Sequence, residues 1–135
     1  MKYDVVALLT DMLKEAGLEN VMDADLSNHN TISLNMKNDI PPIHIRNLDD
    51  TVWVWSTLGD YNLSNLVYSS SNLFPVMFDY NEDVFYTGQP CLYPIDGNLD
   101  LRAQVKEKYL ESPAAFMELL DNFLNVMQAY RSAIA

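Results

Sequence analysis

One cysteine, Cys91, in a chain of 135 residues rules out an internal disulfide framework, and the residue reads as a small packed side chain. Glycine is scarce as well. The four present, Gly17, Gly59, Gly88 and Gly97, form no glycine-rich loop, which excludes the usual phosphate cradles. Two histidines, His29 and His44, do not combine with the cysteine in any metal-ligand spacing. Lys and Arg number 8 against 19 acidic residues, a net charge of −11. Nucleic acid and anionic lipid both recruit Lys and Arg, so neither is an expected partner. No apolar run approaches the length of a membrane span, and the N-terminus lacks the apolar stretch and cleavage site of a signal peptide. The expectation is a cytoplasmic protein without membrane insertion.

What is present is apolar: hydrophobic residues make up 49% of the chain, enough for a sizeable core in one domain spanning residues 1–135. Val5, Leu8, Leu9, Met12 and Leu13 recur with helical spacing, with Asp4 as candidate N-cap and Gly17 as candidate C-terminal stop. Residues 19–30 are polar and read as a loop. Ile32, Leu34 and Met36 alternate with polar residues, as do Ile43 and Ile45, and Thr51-Val52-Trp53-Val54-Trp55-Ser56 is the strongest strand signal. The short connections favour an antiparallel meander. Gly59-Asp60 closes that strand. A helical stripe from Leu63 to Met77 follows, expected to end or kink near Pro75. Val84-Phe85-Tyr86 and Cys91-Leu92-Tyr93 read as strand pieces, and Asp96-Gly97 as a hairpin turn into the alternating Leu99, Leu101, Ala103 and Val105. Ser112-Pro113 opens a last helix with the face Phe116, Leu119, Leu120, Phe123, Met127, Tyr130 and Ile134. The order is α-β-β-β-α-β-β-α, an α+β fold with helices packed on a twisted antiparallel sheet.

Candidate chemistry is thin. Asp23-x-Asp25-x-Ser27 begins like a calcium loop, but its sixth position is Asn28 rather than glycine and its twelfth is Leu34 rather than glutamate. His29 beside Asp25 has no nucleophile to activate, and His44 sits on the strand face opposite Ile43 and Ile45, where partial exposure is expected. Asp49-Asp50 and Glu82-Asp83 read as solvated turn carboxylates. No metal, no cofactor and no enzymatic activity is expected.

The acids are unevenly placed. Residues 47–101 contain no Lys or Arg, yet hold eight acids and ten of the aromatic residues. Trp53 and Trp55 share one face of their strand while Val52 and Val54 share the other, so both faces of the sheet are expected to be covered, one of them by a second chain. This points to a homodimer with spare apolar grooves for a peptide, kept in solution by its charge.

Three segments carry a family resemblance: Leu26-Ser27-Asn28-His29-Asn30-Thr31-Ile32-Ser33-Leu34, Pro42-Ile43-His44-Ile45, and Val52-Trp53-Val54-Trp55-Ser56-Thr57-Leu58-Gly59. Together with the element order they resemble the class I chaperones of bacterial type III secretion, within them the InvB/SpaK type, over roughly residues 3–60. Pro75 and residues 80–94 depart from the family's pattern. The resemblance implies a homodimer without ATPase activity that binds the N-terminal segment of effector proteins in extended form. It implies effector-binding grooves built from Val5, Leu8, Leu9, Met12, Ile32, Leu34, Ile43 and Ile45. Trp53, Trp55, Leu66 and Leu73 are the implied dimer contacts. The competing expectation is an acidic inhibitor or immunity protein that masks a basic toxin; added salt would weaken such a complex and leave groove binding largely intact.

Overall fold

The computed structural model describes residues 5–17, 22–24, 31–79 and 81–134. The chain forms α1 (Val5–Ala16), β1 (Met22–Ala24), β2 (Thr31–Leu34), β3 (Ile43–Leu48), β4 (Thr51–Asp60), α2 (Leu63–Tyr68), α3 (Ser70–Met77), β5 (Cys91–Ile95), β6 (Asn98–Gln104) and α4 (Pro113–Ile134), with a 3-10 turn at Glu107–Leu110. The six strands form one antiparallel sheet in the order β1-β2-β3-β4-β6-β5. The α-β-β-β-α-β-β-α plan is therefore present, with a short edge strand added and the middle helix divided.

Alternation fixes which side of the sheet is buried. Ile32, Ile45, Val54 and Ala103 are cross-strand partners in one row over four strands, and all four are buried. Leu34, Ile43, Val52 and Leu101 extend the same face. Onto it pack Leu9, Met12 and Leu13 of α1 and Phe116, Leu119, Leu120, Phe123, Met127 and Tyr130 of α4. Helix α4 starts where Ser112 Oγ accepts from the Ala115 N–H at 3.1 Å, with Pro113 in the first turn. Helix α1 stops at Gly17, whose φ of 68° is the left-handed conformation glycine takes most readily. The candidate cap Asp4, the side chain of Val5, and the pair Asp25 and His29 lie outside the described residues.

Three local expectations need correction. Residues 19–30 are not wholly loop, because Met22–Ala24 pairs with β2. Val84-Phe85-Tyr86 is no strand: the N–H groups of Val84 and Phe85 both donate to the Asn81 carbonyl, closing the segment into a turn that buries Val84 and Phe85. Gly59-Asp60 does close β4, which ends at Asp60 after a register shift between Thr57 and Gly59. The middle helix is divided at Ser69 into α2 and α3, while its end at Met77 lies two residues past Pro75, near where the proline placed it. Ser69 is buried, and its hydroxyl donates to the Ile134 carbonyl at 3.3 Å, tying the break to the end of α4.

Candidate functional site

Where α1 ends, a groove of about 380 Å³ opens between that helix, the β2–β3 connection and α4. Met12 and Leu13 come from α1, Leu34, Met36, Ile40 and Ile43 from the strands and their connection, and Met117, Leu120 and Leu124 from α4. Lys37 and Asp121 are the charged residues of its lining. Three of the chain's seven methionines are here, and the unbranched thioether adapts to irregular apolar shapes. One wall is a turn in which Asn38 and Asp39 both have left-handed φ, 60° and 62°. Arg131 Nη2 donates to the Asp39 carbonyl at 3.2 Å and anchors that turn to α4.

Of the eight residues expected in effector binding, Met12, Leu34 and Ile43 line this groove. Leu9, Ile32 and Ile45 are buried in the core with them, and Leu8 is half-buried against it. Sequence reasoning missed Leu13, Met36, Ile40, Met117, Leu120 and Leu124 as groove residues. Met36 merely continues the Ile32, Leu34 alternation. Met117, Leu120 and Leu124 form an i, i+3, i+7 stripe beside the main apolar face of α4, legible as extra width of that face.

A second apolar surface lies on α2 and α3. Leu63, Val67, Tyr68, Phe74, Met77 and Phe78 are exposed, Tyr68 at 87% and Val67 and Phe78 at 65% each. The rings of Phe74 and Phe78 stack at 5.9 Å. Leu73 is buried and Leu66 half-buried, seating the helix pair; with Leu92 of β5 they line a shallow apolar hollow of about 280 Å³. The neighbouring edge strand β5 contains Pro94, which has no N–H to offer, so it presents an incomplete ladder to any added strand.

Trp53 and Trp55 are elsewhere, half-buried on the sheet face opposite the helices. Within the chain, the described helices pack on the Val52 and Val54 face only and leave this one open. The structure thus distributes the four residues assigned to a dimer over two surfaces, Leu66 and Leu73 on one and Trp53 and Trp55 on the other. On the open face a hydrogen bond of 2.6 Å joins Ser33 Oγ and His44 Nδ1, and the His44 ring lies 5.3 Å from that of Trp55. Burial lowers the His44 pKa below its ordinary value, opposed by the nearby Asp100 carboxylate. Among the described residues no group of three His, Cys, Asp or Glu side chains is placed to hold a metal ion, and no helix is long and apolar enough to cross a membrane.

Comparison with known proteins finds relatives that span the chain. Over its nearly full length, 133 residues, the chain is 25% identical to the surface presentation of antigens protein SpaK of Salmonella typhimurium and to the protein of the same name from Salmonella typhi. The alignments cover 97% of this chain and 96% of each relative. Residues 17–96, which hold the sheet through β5 and both middle helices, match the model of the invasion protein B family. The chain belongs to the invasion protein B family.

Proposed function

We propose that this protein is a type III secretion chaperone: a cytoplasmic bacterial homodimer that holds the N-terminal segment of effector proteins in extended form and keeps them secretion-competent. The observation that carries this reading is the groove between α1, the β2–β3 connection and α4. Nine of its thirteen lining residues are apolar, and among them Met12, Leu13, Leu34, Ile43 and Leu120 are continuous with the core. An extended peptide fits such a site by placing alternate side chains in the groove. Met12, Leu34 and Ile43 form part of its lining, with Leu9, Ile32 and Ile45 packed in the core with them. Its methionines suit clients whose side chains differ in shape.

The dimer is assigned to the α2–α3 surface, seated by Leu66 and Leu73. Monomeric proteins rarely expose large contiguous apolar patches, and this one carries six large side chains on a short helix pair. The reading invokes no catalytic step and no cofactor.

The test replaces two half-buried groove residues, Met117→Glu with Leu124→Glu, and co-expresses the chain with effectors encoded in the same genome. Capture of an effector's N-terminal segment by the wild type and its loss in the double variant, with an unchanged unfolding midpoint, supports the groove. Equal capture by the double variant defeats it. Capture that collapses on adding salt favours an electrostatic inhibitor instead.

A further inference from the structure

One wall of the groove belongs to no regular element. The last paired residues of β2 and β3 are Leu34 and Ile43, and residues 35–42 leave the sheet, with Pro41 and Pro42 unable to continue the ladder. Their tip is a tight turn. The Ile40 N–H donates to the Lys37 carbonyl at 3.2 Å across Asn38 and Asp39, whose left-handed φ values Asn and Asp tolerate better than other side chains. Ile40 leaves this turn half-buried against the core, and with Lys37 and Asn38 it lines the groove.

Two hydrogen bonds from other elements fix this wall, one on each side of Ile40. Near the sheet, the buried Ser56 hydroxyl donates to the Pro42 carbonyl at 2.9 Å. At the tip, Arg131 Nη2 donates to the Asp39 carbonyl at 3.2 Å, while Nη1 donates to Gln128 Oε1 at 2.8 Å, one turn back along α4. The guanidinium is planar and rigid, so the bond to Gln128 orients the bond to the turn. Met117, Leu124 and Arg131 follow one another at intervals of two helical turns and share one side of α4. The side of α4 that supplies apolar side chains to the groove thus also carries the group that holds another of its walls. Both acceptors are neutral oxygens, so the link sets a position and does not pair a charge. Arg131 is also the basic residue in the last turn of α4, where the helix dipole favours a cation. That role needs a charge and no fork, and a lysine fills it.

We propose that Arg131 is a positioning residue for client binding: by holding the Asp39 carbonyl it keeps Ile40 set against the apolar stripe of α4, so that the groove is formed before its peptide arrives. The inference rests on the groove being the client site. Without the fork the tip is released, and binding has to order it.

The probe is a short dye-labelled peptide of alternating Leu and Ser, followed by stopped-flow fluorescence anisotropy. Arg131→Gln should weaken binding by about tenfold, the scale of one hydrogen bond to a charged group, with the loss in the association rate and the dissociation rate little changed. Hydrogen exchange of residues 36–40 should quicken by a similar factor while β3 and β4 exchange as in the wild type. Arg131→Lys, which keeps the charge at the helix end without the fork, should behave like Arg131→Gln. Peptide binding that is lost in Met117→Glu with Leu124→Glu but unchanged in Arg131→Gln would overturn the proposal and leave the groove reading standing. Full rescue by lysine, or faster exchange throughout the sheet, would do the same. No binding by the wild type, or equal binding by the Met117 and Leu124 double variant, would overturn both.

Discussion

Thr57 and Asp100 show how one polar contact is held in a sheet. Asp100 is only 6% exposed and accepts a 2.7 Å hydrogen bond from the Thr57 hydroxyl of the adjacent strand. Thr57→Val keeps the shape and removes the donor, leaving a buried carboxylate short of a partner. It should cost about 1–3 kcal/mol in a denaturant titration; no measurable loss would mean that water replaces the hydroxyl. His44 makes a second prediction at this scale. Its folded pKa lies below the ordinary 6.5, so between the two values the unfolded chain binds more protons than the folded one. Its contribution is therefore intact above that ordinary value and declines as the pH falls through it towards the folded value. His44→Gln should lose less thermal stability than the wild type between about pH 7.5 and about pH 5.5. Equal losses would show that other groups set the acid response. The partial exposure of His44 was legible from alternation with Ile43 and Ile45. Its contacts with Ser33 and Trp55 were not, because they depend on a strand register that a single sequence does not specify.

Turn chemistry was the most legible feature among the elements. Asp96 and Gly97 have φ of 51° and 80°, the paired left-handed geometry of a two-residue hairpin, and Ile95 faces Asn98 across it. Gly97→Ala should lower stability by about 1–2 kcal/mol, since a Cβ is strained there although space around it is open. A neutral result in a melting experiment would mean that the turn relaxes to another type. The middle helix was less legible. Its proline pointed to an end near Pro75, and α3 stops at Met77, but nothing local marked the break at Ser69, where the hydroxyl finds the last turn of α4. That contact spans 65 positions in sequence, so no local pattern announces it. Val84 and Phe85 misled for a related reason: apolar residues read as strand were buried by a turn whose bonds close on Asn81.

For the molecule as a whole, the sequence correctly indicated helices on an antiparallel sheet, but it could not separate side chains that fill the core from those that line an opening. Met12, Leu34 and Ile43 do both, while Leu9, Ile32 and Ile45 are enclosed. The proposed dimer adds a salt prediction. Asp60, Asp79, Glu82 and Asp83 stand near the ends of the α2–α3 surface in a segment without Lys or Arg, so two copies joined there bring like charges together. Raising salt from about 20 mM to about 300 mM should tighten the dimer in sedimentation equilibrium. Val67→Lys with Phe74→Lys should yield folded monomer, and an unchanged dimer mass would move the interface elsewhere. The central claim, however, is the groove. The most direct measurement is the affinity of an effector's N-terminal segment for the wild type and for Met117→Glu with Leu124→Glu, by calorimetry at low and high salt. The account predicts binding that salt changes little and that the double variant loses by about a hundredfold, through charges placed in an apolar site. Undiminished binding by the double variant would contradict it.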